Sequence, residues 1–114
     1  MNNKEQTFVE YNGKRFDFSH EVMNTIILDD CMIVITHITR KENKYQNIYK
    51  ISGQMIVWVN EDPKEFYKNE PKGEAVPFTV IQWQHGKLKA IDAYGRRFIV
   101  SLEDGSIEFS DFIK

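Results

Sequence analysis

Short apolar runs, rich in β-branched and aromatic residues, alternate along this chain with polar turn signals, and sustained 3.6-residue periodicity is scarce. "TFVEY" and "KRFDF" flank Asn12-Gly13, the dipeptide that supplies two positive-φ residues to a type I′ hairpin turn. "VMNTIIL" and "CMIVITHI" surround Asp29-Asp30, and "NIYKI" and "MIVWV" flank Ser52-Gly53-Gln54. "FTVIQW" and "KLKAI" flank His85-Gly86, and "RFIVSL" and "SIEF" flank Asp104-Gly105. The pattern predicts an all-β chain of about ten strands joined by short connections. Only "SHEVMNTIILDD" carries a competing signal, because Ser19 is able to cap a helical turn that opens with Glu21 and Val22. The strand is the preferred reading there.

The middle of the chain breaks the pattern. "NEDPKEFYKNEPKGEAVP", residues 60–77, holds all three prolines and shows no strand alternation. Its acids (Glu61, Asp62, Glu65, Glu70, Glu74) outnumber its bases (Lys64, Lys68, Lys72). "PKEFYKN" predicts one or two helical turns, with Pro63 at the first helical position and Asp62 as the cap. A connection this long inside a compact fold tends to be functional or mobile.

The hairpin "NIYKISGQMIVWV" is spelled again, with changes, as "RFIVSLEDGSIEFS". Tyr49 and Ile51 align with Val100 and Leu102, and Met55 and Val57 with Ile107 and Phe109, with the second turn one residue longer. Each copy follows another hairpin, turning at Asp29-Asp30 and at His85-Gly86. The repeated unit is therefore four strands, over 22–59 and 78–110, at a spacing of roughly 50 residues that marks propeller blades. Two blades do not close a ring, so the expected architecture is a half β-propeller within a single domain. The N-terminal hairpin, 7–18, is placed to cover an otherwise exposed face or edge. A generic antiparallel meander or sandwich is the alternative.

Composition narrows the function classes. The chain has 114 residues, 41% hydrophobic and 28% charged, which suits one globular domain with its own core. A net charge of −2 argues against a general nucleic-acid binder and leaves room for a basic partner. The single cysteine, Cys31, excludes an internal disulfide and reads as a buried, inert thiol. No signal-peptide core or membrane-length apolar run is present, so the expectation is a cytoplasmic protein without membrane contact.

The chain carries few chemical motifs. His20, His37 and His85 show no metal-ligand spacing, and no nucleophile-elbow or phosphate-binding glycine motif occurs. His85 reads as a turn residue, and His37 as a structural histidine on the face of Ile33 and Ile35. The acid pairs Asp29-Asp30 and Glu61-Asp62 fall in exposed turns, where nothing separates their pKa values for acid–base work. "YGRRF" suggests phosphate pairing by Arg96 and Arg97 only weakly, a solvated strand end being the simpler reading. Trp58 and Trp83 read as core residues. No catalytic residue, metal or cofactor is expected.

From Asn47 onward the order of motifs resembles a family of small bacterial proteins. "NIYKI", a glycine turn, the apolar-Trp strand "MIVWV", a proline-containing acidic loop, "FTVIQW", "GKLKA", the "YG" turn and a closing "SLEDGSI" hairpin follow one another as they do there. The chain departs from the family at "KISGQ", where an Asp is usual in the turn. The resemblance implies an immunity protein of the contact-dependent growth-inhibition type, directed against a toxin of the RNase A-like class. It implies a non-enzymatic inhibitor that binds one basic nuclease domain, as a monomer or in a 1:1 heterodimer, and blocks its active site. It carries over no catalytic residue.

A phosphate-binding active site is basic, so the acids of this chain are the candidates for meeting it. The 60–77 loop offers Glu61, Asp62, Glu65 and Glu70 beside Phe66 and Tyr67, and Asp29 and Asp30 form a second patch. On this expectation, reversing Glu61, Asp62 and Glu65 weakens association and leaves the melting temperature nearly unchanged. The alternative function is a propeller-type structural module that assembles with copies of itself.

Overall fold

The computed structural model describes residues 6–68 and 73–113. Ten strands run in chain order as β1 (Phe8–Tyr11), β2 (Lys14–Asp17), β3 (Val22–Ile27), β4 (Met32–Thr36), β5 (Ile48–Ser52), β6 (Met55–Val59), β7 (Phe78–Gln84), β8 (Lys87–Asp92), β9 (Arg96–Val100) and β10 (Ile107–Phe112). One helical turn, α1 (Pro63–Phe66), lies between β6 and β7. The strands form an antiparallel hairpin, β1-β2, and two four-stranded antiparallel meanders, β3-β4-β5-β6 and β7-β8-β9-β10. The fold is all-β, with two blade-like units and an N-terminal hairpin. The segment that carried a helical signal is strand β3, because Thr25, Ile26 and Ile27 pair with Val34, Ile33 and Met32.

Local chemistry sets the tight turns. Asn12 and Gly13 adopt φ of 52° and 74°, and His85 and Gly86 adopt 54° and 72°, the paired positive values of a type I′ turn. The β9–β10 connection differs from its expected counterpart. Its closing pair is Val100 with Ile107, whereas β5 and β6 close at Ser52 with Met55, so the second turn is longer by more than one residue. Leu102 thus lies in a loop rather than in a strand. That loop is held by its own bonds, Gly105 N–H to the Ser101 carbonyl and Ser101 N–H to the Ser106 carbonyl, both at 2.9 Å.

Strand β4 explains how the layers stack. All five of its residues are buried, and alternate side chains serve different partners. Ile33 and Ile35 join Ile48 and Trp58 against Ile81, Leu88, Phe98 and Val100 of the second sheet. Met32 and Val34 join Ile51 against Val9 and Phe16 of the hairpin. A strand covered on both sides reads as a continuous apolar run, which is what "CMIVIT" is. The hairpin therefore covers a face, not an edge. It is tied to the β5–β6 turn by Asn12 Nδ2 to the Gly53 carbonyl (3.0 Å) and Lys14 Nζ to the Gln54 carbonyl (2.9 Å).

Two buried asparagines close the far end of the first sheet. Asn60 Oδ1 accepts from the N–H groups of Asn47 (2.9 Å) and Ile48 (2.8 Å). Asn47 Nδ2 donates to the carbonyls of Thr36 (2.7 Å) and Phe78 (2.9 Å), so it bridges the two sheets. Asn60→Ala strands two buried donors and is expected to cost about 2–4 kcal/mol in chemical denaturation. A cost below about 1 kcal/mol would refute that assignment.

Candidate interaction surface

The 60–77 segment is pinned rather than presented. Asp62 caps α1, accepting from Lys64 N–H at 2.9 Å and from Tyr45 N–H at 3.3 Å. Glu61 clasps the β9–β10 loop: its N–H donates to the Gly105 carbonyl (2.8 Å), and its Oε1 accepts from Ile107 N–H (3.0 Å). Phe66 and Tyr67 turn inward, edge-on to Phe98 at ring separations of 5.3 and 6.4 Å. Neither is an outward anchor for a partner. Of the acids expected here, Glu65 is exposed beside Lys68, and Glu70 lies outside the described residues. The expectation that reversing Glu61, Asp62 and Glu65 spares the melting temperature is corrected on this geometry, because the Glu61 and Asp62 carboxylates accept from three backbone N–H groups, those of Ile107, Lys64 and Tyr45.

The two arginines of "YGRRF" are also committed. Arg96 is buried, with Nε 2.7 Å from Asp92 Oδ2, so it is not a solvated strand end. Arg97 forms a bidentate pair with Asp111 at 2.7 and 2.6 Å, and that guanidinium holds the Asp111 carboxyl down at about 2. His37 is exposed just beyond β4, its N–H bonded to the Glu21 carbonyl, rather than buried on the face of Ile33 and Ile35. Among the described residues no group of three His, Cys, Asp or Glu side chains is placed to hold a metal. No helix among them is long and apolar enough to cross a membrane.

Asp29 and Asp30 have different surroundings. Their turn is closed by Leu28 N–H donating to the Cys31 carbonyl at 2.9 Å, and both side chains are exposed. Beneath them Cys31 is buried, and desolvation pushes its thiol above the ordinary value, as an inert core cysteine requires. Trp83 stands opposite. It pairs with Leu88 near the end of β7, in the row that continues through Val100 to Ile107. The row begins in the core, but its last member overhangs it, and Trp83 is 41% exposed. The expectation of a core tryptophan holds for Trp58 and fails for Trp83.

Trp83, Ile27, Leu28, Asp29, Asp30 and Leu102 line one groove of about 430 Å³ between the blades. Ile27 on its rim is 69% exposed. The other flank of Trp83 borders a second concavity of about 340 Å³ with Ile26, Ile81, Gln82 and Gln84. The groove sets a large aromatic plane beside two carboxylates, with apolar walls contributed by three separate turns or strands. Residues 27–30 are more than fifty positions from Trp83 and Leu102 in sequence, so only the position of Trp83 beside the His85-Gly86 turn hinted that it lies at a blade end.

No family model matches the chain, and comparison with curated proteins and with solved structures returns no match.

Proposed function

We propose that this chain is a non-catalytic inhibitor of the immunity type, which binds a basic nuclease toxin in the cytoplasm and occludes its phosphate-binding site. The observation that supports this reading best is the placement of exposed Trp83 beside Asp29 and Asp30 in one groove. Carboxylates steer a basic partner and set its orientation, and they do so through the association rate. A large aromatic surrounded by Ile27 and Leu102 supplies the apolar anchor that dominates affinity in most protein interfaces. The Leu102 side of the groove is fixed to the first sheet by Trp58 Nε1 and Lys50 Nζ, both donating to its carbonyl, and such anchoring limits the entropy lost on binding.

The test uses the protein product of the gene adjacent to this chain's own, which on this reading carries a basic ribonuclease domain. Trp83→Ala is expected to raise Kd by about 30-fold or more, mainly through faster dissociation. Asp29→Lys with Asp30→Lys is expected to slow association and to remove most of its salt dependence. Glu65→Lys serves as the comparison, since Glu65 is an exposed acid of the 60–77 segment away from the groove. Unchanged binding by both groove variants, with a loss at Glu65, would move the contact to that segment. No binding by the wild-type chain, and no protection of cells making the nuclease, would end the proposal.

A further inference from the structure

Two arginines of this chain adopt one arrangement. Arg96 lies 5.0 Å from the Tyr94 ring and 4.6 Å from the Tyr67 ring, while its Nε is 2.7 Å from Asp92 Oδ2. Arg15 lies 3.8 Å from the Phe8 ring, while its Nε is 3.0 Å from Asp17 Oδ1. In each, a planar guanidinium serves a ring and a carboxylate at once, which a compact ammonium does less well. The groove between the blades sets out the same two partners, Trp83 and the Asp29-Asp30 pair, without the cation. Among the described residues no positive side chain lies over the Trp83 ring, and neither aspartate is in an ion pair. Lys50, which like Asp30 acts on the Cys31 thiol, is held by the Leu102 carbonyl at 2.7 Å.

Building on the binding role proposed for this groove, we infer that it is a slot for a single arginine side chain of a protein partner, whose guanidinium stacks on Trp83 and donates to Asp29 and Asp30. Other occupants fit less well. A nucleobase stacks on an indole, but two carboxylates repel the phosphate it carries. A divalent cation needs several oxygen ligands, and among the described residues no three His, Cys, Asp or Glu side chains converge. A quaternary ammonium is held by a cage of several rings, and this groove has one. Arginine uses every wall. Ile27, 69% exposed, and Leu102 offer apolar surface to its methylene stem. At about 430 Å³ the groove is at the small end of ligand pockets, suited to one side chain rather than an extended segment. The concavity on the other flank of Trp83 has no acid among its lining residues, and Lys89 Nζ bonds Gln84 Oε1 there at 3.2 Å. A second cation beside the first thus meets a like charge, so the groove reads one arginine rather than a basic run.

The blocked tripeptide acetyl-Gly-Arg-Gly-amide, titrated into the isotopically labelled full chain with no partner added, tests this through amide and indole NMR shifts. Saturable shifts are expected at the Trp83 indole and at residues 27–30, with the Tyr94-Gly95 turn at the other end of β8 unmoved. The lysine counterpart should bind more weakly by about 3-fold or more, and the citrulline counterpart, planar but uncharged, should not saturate. Trp83→Leu is expected to weaken the arginine peptide by about 5-fold or more. Asp29→Asn with Asp30→Asn should remove most of the binding together with its salt dependence. A citrulline response equal to arginine's overturns the slot, as does a shift that survives the double asparagine variant. Silence at these residues up to about 50 mM peptide overturns it too. The slot and the toxin reading fail separately. Saturation by the peptide with no binding of the neighbouring gene's product keeps the slot and ends the toxin reading. Binding of that product with a silent peptide does the reverse.

Discussion

Gly105→Ala is expected to destabilise the chain by about 2–5 kcal/mol, far more than a glycine-to-alanine change in an ordinary turn. Two costs act together. Gly105 has φ of +78°, a left-handed conformation in which a Cβ is strained. A Cβ built there also meets Trp58 Cε3 at 2.7 Å, Trp58 Cδ2 at 2.9 Å and the Val59 carbonyl oxygen at 3.0 Å. None of these is the free end of a flexible side chain. The indole is buried in the inter-sheet core and its Nε1 donates to the Leu102 carbonyl at 2.9 Å. Lys50 Nζ donates to the same carbonyl at 2.7 Å. Moving the ring therefore disturbs the bonds that dock the β9–β10 loop on the first sheet.

Gly53→Ala is the internal control. Gly53 has φ of +60° and open space where a Cβ would stand, so only the backbone strain applies, about 1–2 kcal/mol. Urea denaturation of both variants, followed by tryptophan emission, measures the difference. Equal costs would show that the Trp58 contact relaxes freely and that the loop is not fixed by it. Because Leu102 is a wall of the proposed groove, Gly105→Ala should also weaken nuclease binding by its folded fraction, and Gly53→Ala should not.

The same loop marks where the sequence stops being legible. "SLEDGSI" and "KISGQMI" look alike as strings, and both do form hairpins at the outer side of a blade. What separates them is the first sheet. Leu102 leaves the strand because its carbonyl accepts from Lys50 and Trp58, partners more than forty positions away. Glu61 and Asp62 are a similar case. Their acidity was visible, but their backbone partners on Gly105, Ile107 and Tyr45 come from the tertiary fold. One helical turn has too few residues to show an apolar face, so nothing local told that Phe66 and Tyr67 point inward. The strands, the type I′ turn at Asn12-Gly13 and the cap of α1 were legible for the opposite reason: each is set by neighbours within a few residues. Asp29-Asp30 was found as an exposed turn, and its value as a site came only when the fold set Trp83 beside it.

Arg96→Ala is expected to cost about 3–5 kcal/mol, the usual consequence of leaving a buried carboxylate without its counterion. The Asp92 side chain is 2% exposed and the Arg96 side chain 10%, with Nε and Oδ2 2.7 Å apart. Asp92 Oδ1 accepts in addition from the N–H groups of Tyr94 (2.9 Å) and Arg96 (3.1 Å), so the carboxylate shapes the β8–β9 turn as well as pairing. Arg96 Nη2 reaches the Glu74 carbonyl at 2.7 Å, and its guanidinium lies 4.6 Å from the Tyr67 ring and 5.0 Å from the Tyr94 ring. One planar fork thus ties the turn to both flanks of the connection between β6 and β7. Arg96→Lys should rescue little, since an ammonium cannot serve Asp92 and Glu74 while stacking between two tyrosines. The double variant Arg96→Met with Asp92→Leu should recover only part of the loss. It removes the buried charges but leaves the Tyr94 and residue-96 N–H groups without their acceptor. Arg97→Ala, at the partly exposed pair with Asp111, should cost less than Arg96→Ala. A double-mutant cycle in denaturant reads these terms directly. Full recovery in the double variant would show that Asp92 acts only as a counterion, and equal costs at Arg96 and Arg97 would show that the buried pair holds nothing the surface pair does not.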